Sequence, residues 1–153
     1  MTSGDNNTVI GYNAGTAITT GGSNTIIGEE AGVAITEGGG NVVVGQEALK
    51  NEDGHGFNTA IGTQALFTQN AGANAYNTAV GYQAGAAITT GVKNVAVGGL
   101  TLDAADTGAE NTAIGHQALT SDTKGNRNVA IGAGALATQN FTSATSACLL
   151  YTS

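Results

Sequence analysis

Apolar and polar positions recur along this chain at a fixed interval that no helix period explains. The block NTVIG begins at Asn7, NTIIG at Asn24, NVVVG at Asn41 and NTAIG at Asn58. Related blocks begin at Asn77, Asn94, Asn111 and Asn128. The step is seventeen positions throughout, except for one step of nineteen between Asn58 and Asn77. A short constant period is the mark of a solenoid, in which each repeat is one coil that buries its apolar residues against the next.

Comparing the eight copies shows what each position tolerates. The first residue is always Asn. The fifth is always Gly, from Gly11 to Gly132, and the fourth is always Ile or Val. Such β-branched residues fit a pleated strand and are stiff about χ1. A helix would have to accept a fixed Gly in every repeat with no 3.6-residue pattern, which excludes it. Each block therefore predicts a short strand closed by a turn-forming Gly. A second turn signal follows ten residues later, at Gly21, Gly38, Gly72, Gly91, Gly108 and Gly125. Two turns per coil predict a flattened β-roll.

Between the turns the copies divide. Three pair a Gly with an Ile three residues on: Gly15 with Ile18, Gly32 with Ile35, and Gly85 with Ile88. The other five carry Leu49, Leu66, Leu102, Leu119 or Leu136 at the first position. Their second position is then Glu52, Gln69, Ala105, Asp122 or Gln139. One bulky aliphatic per coil implies that the two positions fill one space, since packed interiors tolerate neither a void nor an extra methylene.

Alternation along a strand sends neighbouring residues to opposite faces. We take the Ile/Val of the fourth position (Ile114, for example) and the Thr/Val two before it as inward. The residue between them then faces outward: Val9, Ile26, Val43, Ala60, Ala79, Ala96, Ala113 or Ala130. An apolar row along the whole outside would be a continuous exposed patch, which monomers avoid. It predicts a homo-oligomer about an axis parallel to the solenoid. The Asn column has two structural readings, an amide ladder between coils or a set of left-handed turn positions.

The position after the fixed Gly varies freely, as an exposed turn does: Tyr12, Glu29, Gln46, Thr63, Tyr82, Gly99, His116 and Ala133. Tyr12, Glu29, Tyr82 and His116 are the candidate surface contacts, with Tyr favoured because aromatic residues carry much interface energy. His116 reads as a surface residue and His55, in DGHGF, has no repeat-related partner, so no metal or catalytic site is expected. No carboxylate pair, Ser/His/Asp set or phosphate loop recurs, so neither an enzyme nor a cofactor is expected. Gly38–Gly40 reads as a turn, because no helix follows. Thr19, Thr20, Thr36, Thr89 and Thr90 hint at ice-binding ranks, but Asp53, Asn70 and Asp106 interrupt them. The sequons at Asn6 and Asn140 read as coincidence without a secretory signal.

Composition narrows the partners. Four basic against eleven acidic residues give a net charge of −7, which argues against nucleic acid. No apolar run approaches the ~20 residues that span a membrane, and the start shows no signal peptide. The single Cys148 excludes an internal disulfide framework.

The segment NTAVGYQAGAAITTGVKNVAVG, residues 77–98, resembles the head repeats of trimeric autotransporter adhesins. It is more similar still to the NTAIGYQA-type arrays of phage tail fibres and related surface fibres, since the adhesin repeat is typically shorter than the one here. The resemblance covers about Asn7 to Thr145. It implies a left-handed parallel β-roll, three chains about one axis, and a rigid shaft or adhesive head. The expected role is a phage tail fibre or virion appendage that supports binding to a host receptor or glycan. The alternative is the head of a bacterial surface adhesin at the cell surface. The expected organisation is a lead-in over 1–6, the repeat domain over 7–145 and a non-native, adapter-derived tail over 146–153, the whole reading as a fragment.

Overall fold

Each Asn-led block folds as its composition dictates, into a three-residue strand ended by glycine. In a computed structural model, which describes residues 4–140 and the backbone of Leu150 and Tyr151, the strands are β1 (Thr8–Ile10), β2 (Thr25–Ile27), β3 (Val42–Val44), β4 (Thr59–Ile61), β5 (Thr78–Val80), β6 (Val95–Val97), β7 (Thr112–Ile114), β8 (Val129–Ile131) and β9 (Leu150–Tyr151). They form one parallel sheet in the order of the sequence. Each block pairs with the next residue for residue: Val9 opposite Ile26, Ile26 opposite Val43, and so on. The chain is a parallel β-solenoid in which one sequence period makes one turn, and no described residue is helical. Only one side of each coil is strand. The other side is a stack of turns joined by backbone bonds such as Gly15 N to Ala31 O at 3.0 Å and Thr19 N to Thr36 O at 2.9 Å.

Of the segment expected to be non-native, only Leu150 and Tyr151 are described, and they pair with Val129 and Ala130. The rest of 146–153, with Cys148, and residues 1–3 and 141–145 lie outside the described residues.

The faces of the strands are the reverse of the sequence expectation. The middle residue of each strand points inward: Ile26, Val43, Ala60, Ala79, Ala113 and Ala130 are wholly buried and Ala96 is 1% exposed. The flanking positions point outward, with Ile61 and Ile114 each 37% exposed. Ile114 is therefore not a core residue, and the row from Val9 to Ala130 is not an outer stripe. The physical reason lies in the asparagines. Asn24, Asn41, Asn58, Asn77, Asn94, Asn111 and Asn128 are all buried, and the residue two after each must share their side of the strand.

These asparagines build a ladder through the core. The Oδ1 of each accepts the backbone N–H of the Asn one coil on, over seven rungs of 2.8–3.1 Å from Asn7 to Asn128. In five coils the Nδ2 donates to the carbonyl at the second turn of the same coil, as Asn94 does to Gly108 at 2.8 Å. The ladder reading holds. The left-handed position is instead the residue before the Asn, such as Ser23 (φ 60°) or Lys93 (φ 59°). A buried amide with both ends bonded removes the desolvation cost of its polar atoms and fixes the register of every coil.

The exchange between Gly–Ile and Leu coils is a shared volume. A Cβ placed on Gly15, Gly32 or Gly85 would meet the Cδ1 of Ile18, Ile35 or Ile88 at 2.9, 2.8 and 2.9 Å. Where Leu takes the space, it does so in the left-handed region, at φ 46–53° from Leu49 to Leu136. That conformation costs an L-residue about 1–2 kcal/mol, which burying a Leu side chain (~2 kcal/mol) offsets. We expect Gly85→Leu alone to lower stability by about 2 kcal/mol through overpacking. Adding Ile88→Ala should recover at least half of that loss. A double-mutant cycle by denaturant unfolding measures the coupling, and additive losses would contradict a shared space.

Candidate functional site

The turn after the fixed Gly runs up the solenoid as a ridge. Carbonyls in this column accept from the next coil: Tyr12 O from Glu30 N (2.8 Å), Tyr82 O from Leu100 N (2.9 Å) and His116 O from Gly134 N (2.8 Å). The backbone is thus fixed while side chains project. Tyr12 is 71% and Tyr82 56% exposed, and Glu29 and His116 are exposed too. Tyr12 and Glu29 occupy adjacent coils. Tyr82 and His116 are two coils apart, with Gly99 between them. The four predicted residues share one column but do not converge on a cleft. Glu29 meets Gln46, whose Nε2 donates to its Oε2 at 3.1 Å.

Beside this ridge runs a polar ladder missed by sequence reasoning. Gln83 Nε2 donates to Gln64 Oε1 (2.7 Å), and Gln64 Nε2 to Glu47 Oε2 (2.8 Å). Lys50 bridges Glu30 and Glu47 at 2.7 and 2.6 Å. Hydrogen bonds from Lys50 and Gln64 hold the Glu47 carboxyl below its ordinary range, and the two glutamates raise Lys50. Arg127 likewise lowers Glu110, which it meets at 2.8 Å. The signal was available, because side chains one sequence period apart stack directly. These are solvated pairs worth little individually.

Two further features interrupt the regular surface near the longer coil that begins at Asn58. Phe57 and Tyr76, each about half exposed, stack with centroids 5.3 Å apart and rings inclined by 6°. Phe57 also lies against Gly40, where a Cβ would come within 2.9 Å of its ring. Glu52 is wholly buried at a position that is Ile in three coils. Desolvation raises its carboxyl above the ordinary range, against bonds from the backbone of Ala71 and His55 that lower it.

The largest continuous feature is the outer face of the sheet. Its two ranks are Thr8, Thr25, Val42, Thr59, Thr78, Val95, Thr112 and Val129, and the Ile/Val residues two further on. All sixteen are β-branched, none is charged and none is buried. A depression of about 330 Å³, lined by Gly134, Leu136, Ala137, Thr138 and Gln139, lies at the last described coil. None of these five residues carries an ionisable side chain.

No family model, curated protein or solved structure matches the chain. No helix among the described residues is long and apolar enough to cross a membrane.

Proposed function

We propose that this chain is a non-enzymatic structural and adhesive fibre segment, a stretch of phage tail fibre or related virion appendage that assembles as a homotrimer. The observation that carries the reading is the outer face of the sheet. Sixteen uncharged β-branched side chains lie in two straight ranks along eight strands spaced ~4.8 Å apart, a strip about 38 Å long. Eleven of the sixteen are Ile or Val and five are Thr, and a predominantly apolar exposed strip of this kind marks an interface. Three copies about an axis parallel to the solenoid cover all three strips at once.

The remaining surface suits the outside of a fibre. Its ridge residues vary freely, most of them polar or aromatic, and sit on a backbone hydrogen-bonded to the neighbouring coils. Recognition of a host-surface receptor or glycan falls to Tyr12, Tyr82 and their neighbours, or to a receptor-binding end that the shaft holds away from the particle. Sedimentation equilibrium of the full chain should return three times the mass of one chain. A monomer over the whole accessible concentration range would refute the assembly. Binding of the trimer to host cells should weaken at least about thirtyfold in Tyr12→Ala/Tyr82→Ala, since an aromatic contact at the centre of an interface reaches about 2 kcal/mol or more. Undiminished binding would remove the tyrosines from the contact and leave the shaft role intact.

A further inference from the structure

One coil departs from the repeat in a way the fibre role does not use. Where other coils read Ile-Thr-x-Gly, as in Ile18–Gly21, Ile35–Gly38 and Ile88–Gly91, this one reads Glu52-Asp53-Gly54-His55. His55 stands in the glycine position, and its carbonyl packs on Gly38. Three potential ligand atoms, one each from Glu52, Asp53 and His55, lie within 4.8 Å of one another.

Asp122 gives an internal comparison. It occupies the same position in its own coil, and there an acid is fully used by the fold. Its Oδ1 accepts from Gly125 N (2.9 Å) and its Oδ2 from Asn128 Nδ2 (3.0 Å). Asn58 stands to Glu52 as Asn128 stands to Asp122, six positions on. Yet Asn58, 1% exposed, has a buried Nδ2 with no partner. Glu52 instead accepts two long backbone bonds, from His55 N at 3.2 Å and Ala71 N at 3.4 Å. No lysine or arginine pairs with it among the described residues. Nδ1 of His55 is also buried without a hydrogen bond.

Nδ1 of His55 is 3.5 Å from Oε1 of Glu52. That separation is at the outer limit of a hydrogen bond. It does match the edge of a tetrahedral site, where donors each about 2.1 Å from the ion sit about 3.4 Å apart. A buried carboxylate without a cation, a buried imidazole nitrogen without a partner and a second carboxylate at the exposed end together want a divalent ion.

We propose that Glu52, Asp53 and His55 form a binding site for one borderline divalent transition ion of the Zn²⁺ class. The imidazole selects such ions over Ca²⁺ or Mg²⁺, which take oxygen ligands. Three protein donors leave a fourth position for water on the Asp53 side, which is exposed. The ion would fix the second turn of the third coil, which supplies all three donors.

The test is calorimetric titration of Zn²⁺ into the full, tag-free chain after chelator treatment, with Co²⁺ as a spectroscopic probe of tetrahedral geometry. The expected result is about one ion per chain, a tetrahedral Co²⁺ absorption band and a raised melting temperature. His55→Ala and Asp53→Asn should each weaken binding at least about tenfold, while His116→Ala should leave it unchanged. Asp53 is exposed, so its variant folds even if His55→Ala does not. Absence of binding in the wild type, or undiminished binding in either ligand variant, overturns the assignment.

Discussion

Ala96→Glu should abolish folding of the central coils, with loss of the β-sheet circular dichroism signal at room temperature. Ala96 lies on the inward side of β6, 1% exposed, with Ala79 and Ala113 directly opposite on the neighbouring strands. The interior there is filled by Ala96 and its strand neighbours together with Ile88, Leu102 and Leu119 from the turn side. A carboxylate at that point has no cation within the core and no room to reach solvent. Burying an unpaired charge costs several kcal/mol, a large share of the roughly 5–15 kcal/mol that holds an ordinary domain together.

The contrasting substitution is Ile114→Asp, on the neighbouring strand β7 but on the opposite face. Ile114 is already partly exposed, so the isolated chain should keep its sheet, at a cost of about 1 kcal/mol or less. Its effect should fall on assembly, because three carboxylates would be brought together where the apolar strips meet. The measured pair is therefore unfolding by circular dichroism and mass by sedimentation. Unfolding in both variants, or in Ile114→Asp alone, would contradict the faces seen here.

Those faces show where sequence reasoning reached and where it stopped. The period, the strands, the parallel order and the shared space of Gly85 and Ile88 were all legible, because internal repeats supply their own comparison. The direction of the strands was not, because all three positions of a strand such as Thr25-Ile26-Ile27 accept apolar or β-branched residues. Alternation alone cannot orient such a strand. Parity with an invariant polar residue can: an Asn that never varies is bonded inside, and the residue two after it must be inside too. The error also put the outer face at Ala96 instead of at Val95 and Val97, one residue to either side. The candidate contacts Tyr12, Glu29, Tyr82 and His116 were read correctly as exposed turn residues. The repeat placed Glu52 at the isoleucine position, but its burial was not legible, since a polar residue there reads as exposed once Leu49 fills the shared space.

The most severe single-atom change should be a methyl group on a strand-ending glycine. Gly81 has φ 140°, a region that side-chain-bearing residues essentially do not enter. The added atom also has nowhere to go: a Cβ on Gly81 would lie 2.5 Å from the carbonyl oxygen of Gly98 in the next coil. That oxygen cannot retreat, because Gly98 itself is tied by its N–H to Val80 O at 2.8 Å. The backbone strain contributes about 1–3 kcal/mol and the steric conflict adds to it, so Gly81→Ala should cost about 4 kcal/mol or more. Gly99→Ala is the control one coil on. Its φ is not in the left-handed region, and the nearest atom to an added Cβ is His116 Cδ2 at 3.6 Å, ordinary contact. That variant should lie within about 0.5 kcal/mol of the parent. Equilibrium denaturation of the two variants side by side decides the matter. A Gly81→Ala chain as stable as Gly99→Ala would mean that the coils are not stacked carbonyl-on-glycine.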